Sequence, residues 1–267
     1  MPIPKVIHYC WFGGNELPAS VEKCIRSWKR RCPDYEIKLW DENSVDVNAI
    51  PYTKETYEAK AYAFVSDYFR LWIIYTDGGI YLDTDVEVVR NFDPLLNHYA
   101  FAGREGKEYV NFGLGFGAEK HHPLLQAHME LYEDIHYRNH DGSVNKTTLP
   151  MYITMLLSEL GFDPDNDCVQ EVAGITVYPT DYFCPIEWQT GITRWKTSNT
   201  YSIHHYNASW FSEAEQEEKL AHWKECQREH RRQSRNNMIR KVLGNRCYEL
   251  LSILVAKCRQ RFGLLRK

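Results

Sequence analysis

Residues 59–89 read AKAYAFVSDYFRLWIIYTDGGIYLDTDVEVV, and the fold turns on this stretch. Ala61, Phe64, Val65, Tyr68, Leu71, Trp72 and Tyr75 recur at helical spacing on one broad face, which predicts a helix over 59–77. Asp77-Gly78-Gly79 closes it, because a helix C-terminus commonly needs a residue with positive φ and glycine adopts one without strain. Ile80–Leu82 then predict a strand. Asp83-Thr84-Asp85 stand at its end, and Val86, Val88 and Val89 continue in extended form.

The same alternation extends upstream. Val6–Phe12 predicts a buried first strand closed by Gly13-Gly14. Val21, Cys24, Ile25 and Trp28 predict a helix over 17–31, and Tyr35, Ile37 and Leu39 alternate with polar residues as a strand does. Strand, helix, strand, helix, strand is the signature of an open α/β sheet. Downstream, strands are expected at 100–103, 109–118, 169–178 and 201–206, and helices near 122–138, near 147–160 and from Ser212. Residues 1–235 read as one catalytic domain. Residues 236–267 read as a basic amphipathic helical tail, with eight Lys or Arg against Glu249 alone.

A chain of 267 residues that is 43 % hydrophobic can fill a sizeable core. Its net charge of −4 gives no whole-chain basic field, so nucleic acid is not an expected partner. The eight cysteines form no CxxC pair and read as reduced thiols. The start MPIPKVIHYCWFGG lacks the basic opening and apolar run of a signal peptide, and no apolar stretch reaches spanning length. The expectation is a cytoplasmic protein whose basic tail can touch the inner face of the membrane.

Asp83 and Asp85, at i and i+2 beside a strand terminus, can converge on one hard cation where the backbone turns. A diphosphate needs such a cation to bridge its oxygens. Two solvated acids in a turn are the bland alternative. In the preceding helix, Ser66, Asp67 and Arg70 lie within one turn among aromatics and aliphatics. The acid and base there form either a helix ion pair or a grip on sugar hydroxyls. Asp163, Asp165 and Asp167 resemble the opening of a calcium loop. Cys168 and Gly174 stand where such a loop needs Gly and Glu, so the segment reads as a turn-rich loop.

The runs Ala63–Arg70 and Tyr75–Asp85 resemble the sugar-binding DXD region of glycosyltransferase family 32, and more distantly the catalytic domain of glucosylating bacterial toxins. The opening Ile3–Gly14 is similar to the family's start, and His204-His205-Tyr206-Asn207-Ala208-Ser209-Trp210 resembles its C-terminal His-His…Ser-Trp motif. The resemblance implies a GT-A fold, a Rossmann-like mixed sheet flanked by helices. It implies a retaining transferase that moves a hexose from a nucleotide-sugar donor to a saccharide or lipid-linked saccharide in surface polysaccharide synthesis. By family habit a UDP-sugar comes first and GDP-mannose second.

Carried over residue by residue, the resemblance gives Trp11 to the nucleobase, Ser66, Asp67 and Arg70 to donor hydroxyls, and Tyr81 to the nucleotide. Asp83 would contact sugar or ribose and the metal, Asp85 would ligate the metal, and Asn111 would stand near the donor sugar. Ser209 and Trp210 would close over the diphosphate. His205 would complete the metal site, with His204 the competing choice. Imidazole beside carboxylates points to Mn²⁺ over Mg²⁺. Leu149-Pro150 departs from the family's Gly-Pro on the acceptor side.

Two rivals come from other classes. Ile80–Val86 also resembles the DxDx(T/V) opening of haloacid-dehalogenase-type phosphatases, although that motif opens its fold and here an aromatic-rich helix precedes it. A sugar-binding protein without catalysis is the other, and the intact DxD and His-His argue against it.

Overall fold

The computed structural model describes residues 2–207 and 211–244. Strands are β1 (Val6–Cys10), β2 (Glu36–Trp40), β3 (Gly79–Tyr81), β4 (Val86–Val88), β5 (Ala100–Glu105), β6 (Tyr109–Asn111), β7 (Phe116–Ala118), β8 (Gln170–Val172), β9 (Ile175–Tyr178) and β10 (Ser202–His204). Helices are α1 (Ala19–Arg31), α2 (Pro51–Glu58), α3 (Tyr62–Asp77), α4 (Pro123–Glu133), α5 (Leu149–Glu159), α6 (Thr180–Phe183) and α7 (Glu213–Leu243). The main sheet runs β2-β1-β3-β7-β5-β9-β8, with β6 on β5, and β4 pairs β10 in a separate ribbon. Pairings of β1 with β2 and β3 are parallel, while β7 runs antiparallel to β3 and β5. The sheet is mixed and the class is α/β, as the sequence implied.

Helices cover both faces because β1 is buried on both. Tyr9 meets Trp28 of α1 edge-on, and the Trp28 indole donates to the Val86 carbonyl at 2.7 Å. On the opposite face, the α3 residue Phe69 packs on Phe12 and Trp72 on Trp40. α3 differs from the one-faced helix expected. α2 and α4 pack on α3 as well, and Ser66, Asp67 and Arg70 are buried along with its apolar residues, Arg70 against Asp83 and Tyr81 and Asp67 at the Leu149 N–H that opens α5. Leu39 is exposed rather than inward, since β2 is an edge strand.

The close of α3 follows the sequence. Gly78 has φ 65° and Gly79 φ 102°, and a Cβ on Gly79 would sit 2.8 Å from the Val6 carbonyl. His8 pins this turn. The Trp40 indole donates to its Nδ1 at 3.0 Å, so Nε2 carries the proton given to the Gly78 carbonyl at 2.9 Å. Burial lowers the His8 pKa to about 4 and keeps the ring neutral.

Three expectations are refined. The helix expected from 59 is preceded by α2, and the chain breaks at Lys60 with φ 57°. The strand expected over 109–118 is two strands with a turn between them. The strand over 169–178 is a hairpin whose corner, Ala173-Gly174, has positive φ at both positions, the demand of a type I′ turn.

Two compact units emerge. One comprises residues 1–188 and 193–216; the other comprises 189–192 with α7 from Glu217 onward. Within the second, Gln227 donates to the Gly191 carbonyl at 2.7 Å, and Gly191 leaves room for Trp223, whose ring a Cβ would meet at 2.3 Å. The expected boundary at 235/236 falls inside α7. The expected roles of Ser209 and Trp210, and residues 245–267 of the expected tail, lie outside the described residues.

Candidate active site

The carboxyl ends of β1 and β3 are adjacent. The sheet grows from β1 to β2 on one side and from β3 through β7 and β5 on the other, so the strand order reverses between β1 and β3, and open α/β sheets bind ligands beyond the carboxyl ends at such a switch point. Trp11 follows β1 and Asp83 follows β3. Trp11 is half-buried, and its indole donates to the Asn15 carbonyl at 2.7 Å.

Asp83 is held by α3. Arg70 Nη2 lies 3.2 Å from Asp83 Oδ1 and 3.0 Å from Asp67 Oδ1, and its Nη1 donates to Asp83 Oδ2 at 3.4 Å. Ser66 accepts from the same guanidinium twice, at Oγ and at its carbonyl, each at 3.1 Å. The cation lies 4.9 Å from the centre of the Tyr81 ring. Burial opposes the charge on Arg70, but Asp83 and Asp67 hold it protonated. Burial pushes the Asp67 carboxyl up to about 6 against the pull of Arg70. Of the two readings of Asp67–Arg70, the ion pair is the one seen, and it forms the floor beneath Asp83.

Gly113 permits this closeness. Asp83 N–H donates to the Gly113 carbonyl at 2.9 Å, and a Cβ there would lie 1.8 Å from Asp83 Oδ2. The neighbouring Asn111 accepts from Gly113 N–H at 2.7 Å and donates to Glu105 Oε2 at 2.6 Å. Each end of the buried Asn111 amide makes a hydrogen bond within the chain. Asn111 therefore braces the loop under Asp83. Tyr81 is corrected. It is 1 % exposed beneath Arg70, since strand alternation turns it into the α3 face, and it supports the guanidinium instead of touching a nucleotide.

Asp85 is held by the β4–β10 ribbon. Its Oδ1 lies 3.1 Å from His204 Nε2, and its Oδ2 accepts from Asn207 N–H at 2.7 Å. Burial alone would raise its pKa; His204 draws it down to about 2. Burial disfavours the imidazolium, yet Asp85 raises the His204 pKa well above its ordinary value. His205 was the residue expected at Asp85. Its side chain instead meets Glu87 at 3.0 Å, while its backbone N–H donates to the Asp85 carbonyl at 3.0 Å. The turn at Tyr206, with φ 55°, curls the chain so that His204 and the Asn207 amide close on the carboxylate.

No three His, Cys, Asp or Glu side chains converge among the described residues. A diphosphate-bound cation does not need such a cage, because one or two carboxylates and the substrate's oxygens suffice. Asp85, Asp83 and His204 fit a divalent cation in kind: hard oxygens beside an imidazole whose positive charge now balances Asp85. The phosphatase rival fares worse, for both oxygens of its would-be nucleophile Asp83 face Arg70.

Residues 18–102 match the family model described as the glycosyltransferase sugar-binding region containing the DXD motif, which spans α1 to β5 and holds Asp67, Arg70, Asp83 and Asp85. The chain is 27 % identical over 216 residues to inositol phosphoceramide mannosyltransferase 3 of Schizosaccharomyces pombe, covering 76 % of this chain and 60 % of that protein. It is 30 % identical to inositol phosphoceramide mannosyltransferase 2 of the same yeast, over 58 % of this chain and 43 % of that one. A galactosyltransferase solved with donor and acceptor sugar analogues aligns at 15 % identity with a TM-score of 0.44, over 82 % of this chain and 95 % of that one. The resemblance to DXD-containing glycosyltransferases read from the sequence holds.

Proposed function

We propose that this chain is a metal-dependent glycosyltransferase that moves a hexose from a nucleotide diphosphate sugar to a hydroxyl of a lipid-borne or polysaccharide glycan. The observation that carries the reading is that Asp83, held against Arg70 just after β3, and Asp85, paired with His204, both lie in the matched DXD region. Trp11, at the carboxyl end of β1, stacks on the base. Asp83 and Asp85 with His204 hold the cation, Mn²⁺ ahead of Mg²⁺. When bound, the cation offsets charge on the departing diphosphate.

We assign transfer with retention. Three carboxylates of the described residues are engaged within the chain: Asp67 with Arg70, Glu87 with His205, Glu105 with Asn111. That supports a path in which the leaving diphosphate itself takes the acceptor's proton, on the face where the new bond forms. The names of the yeast relatives lend support to a mannosyl donor over the UDP-hexose expected from the sequence, and to a phosphoinositol-bearing lipid as acceptor. An acceptor of that kind suits an enzyme at the inner membrane face. Exposed Met238, Ile239 and Val242 near the end of α7, beside Arg240 and Lys241, would meet the lipid there.

The test is nucleoside diphosphate release from GDP-mannose, UDP-glucose and UDP-galactose with and without Mn²⁺. One donor should give metal-dependent release that Asp85→Asn lowers at least 100-fold. Absence of release from every donor, or full release by Asp85→Asn, overturns the reading.

A further inference from the structure

Taken over its whole length α7 has no apolar side, yet its second half sorts its residues into rows. Lys224, Arg228, Arg231, Arg235, Met238 and Val242 follow one another at steps of four or three, which sets them in line along the helix. Arg232 and Ile239 stand beside that line, each four residues beyond one of its members. The line opens with cations and ends in apolar side chains. All of them are exposed, Met238 at 66 % and Val242 at 77 %. No acid interrupts it. Glu225 and Glu229 form a row of their own, and Trp223 and Gln227, which α7 turns to Gly191, form another.

Among the described residues, none of the five cations Lys224, Arg228, Arg231, Arg232 and Arg235 enters an ion pair. Like charges three and four apart oppose the helix that carries them, so an outside anion that balances the row stabilises α7. Whatever balances it must also take up Met238, Ile239 and Val242. A nucleic-acid backbone offers phosphates and no apolar phase. An anionic bilayer offers both, phosphate-bearing headgroups for the arginines and acyl chains just beneath them for the apolar end. No described helix is long and apolar enough to cross a membrane, so such a contact lies at the interface.

We propose that this side of α7 is a docking face for an anionic lipid bilayer, on which Lys224, Arg228, Arg231, Arg232 and Arg235 lie along the headgroups while Met238, Ile239 and Val242 dip below them. The arginine face adds long-range attraction to the apolar contact named above, and it stands whether or not the glycosyl-transfer reading does.

The test is flotation of the full chain with vesicles of phosphatidylcholine alone and of phosphatidylcholine with one-third phosphatidylglycerol. The wild type should float with the anionic vesicles at low salt, float less as salt is raised, and stay in solution with the neutral ones. Arg228→Ala/Arg231→Ala/Arg235→Ala should weaken binding roughly tenfold or more. Met238→Ser/Val242→Ser should weaken it roughly threefold or more and leave the salt dependence in place. Taking three exposed cations from α1 instead, with Arg26→Ala/Lys29→Ala/Arg30→Ala, should keep it within about twofold. Alanine favours the helix, so far-UV circular dichroism of both triple variants should match wild type, and lost binding is then not lost α7. A wild type that ignores anionic vesicles at low salt, or an α1 triple that loses as much as the α7 triple, overturns the proposal. So does a wild type that binds a DNA duplex and not the vesicles. Nucleoside diphosphate release from a soluble donor should be equal in all these variants, so a failure of the transfer reading and a failure of this one appear in different assays.

Discussion

Asp85 Oδ1 and His204 Nε2 lie 3.1 Å apart, and this pair joins two segments separated by more than a hundred residues. Asp85 is pulled to a pKa of about 2 and His204 pushed well above its ordinary value, so both are charged at neutral pH.

The first prediction separates the two histidines. His204→Ala should abolish Mn²⁺-stimulated nucleoside diphosphate release, whereas His205→Ala, which loses only the contact to Glu87, should keep at least a third of it. The reverse order would return the ligand role to His205. A metal titration of the two variants decides.

Arg70 faces Asp67 and Asp83 at once and lies over Tyr81, a task for a planar fork. Lysine keeps the charge but cannot bridge both carboxylates, so one is left buried and poorly paired. Arg70→Lys should cost about 3 kcal/mol and lower Tm by roughly 6–12 °C, with transfer falling as Asp83 shifts. Thermal melts with and without nucleotide and Mn²⁺ measure both effects. A melt within 2 °C of wild type would mean that the triad is not a structural floor.

Gly113 offers a cleaner probe of the site. The added methyl of Gly113→Ala would fall 1.8 Å from Asp83 Oδ2, so the carboxylate must move or the turn must open. Transfer should drop on the order of 100-fold, the loss expected when a group at the reacting centre is misplaced by about an ångström. The sheet beneath is untouched, so far-UV circular dichroism should be unchanged. Wild-type activity would show that Asp83 need not sit where it does.

The sheet was legible because its signals are local. Alternation in β1, the apolar run of α3 and the paired glycines after it each follow from neighbouring residues. What escaped depends on tertiary contact. α3 reads as amphipathic until α2 and α4 cover its second side, and α2 itself has too short an apolar pattern to announce a helix. Asp83 and Asp85 could be found as a pair at a strand end. Their partners Gly113 and His204 come from segments far along the chain. The choice between His204 and His205 depends on a left-handed tyrosine, a residue type that rarely adopts that conformation and gives no warning of it. Tyr81 is expected at the ligand because family position does not say which way a side chain faces.

The last prediction concerns acid. His128 of α4 is fully buried, stacks on Tyr132, and has no partner at either ring nitrogen among the described residues. Burial lowers its pKa to about 4, as it does for His8. In the unfolded chain each would titrate near 6.5. Between pH 6.5 and 4 the unfolded state therefore binds more protons than the folded one, and stability falls as pH falls through that window. At pH 5.5 each ring costs about 1 kcal/mol relative to neutral pH, or roughly 2–4 °C in Tm. His128→Leu fills nearly the same volume and cannot be protonated. It should match or exceed wild-type stability at pH 7.5 and gain a further 2–4 °C at pH 5.5. The remaining acid sensitivity would belong largely to His8, whose two hydrogen bonds make it the harder residue to replace. Melting curves of wild type and His128→Leu from pH 5 to 7.5 check this, and parallel curves would show that His128 finds a proton acceptor in the folded protein.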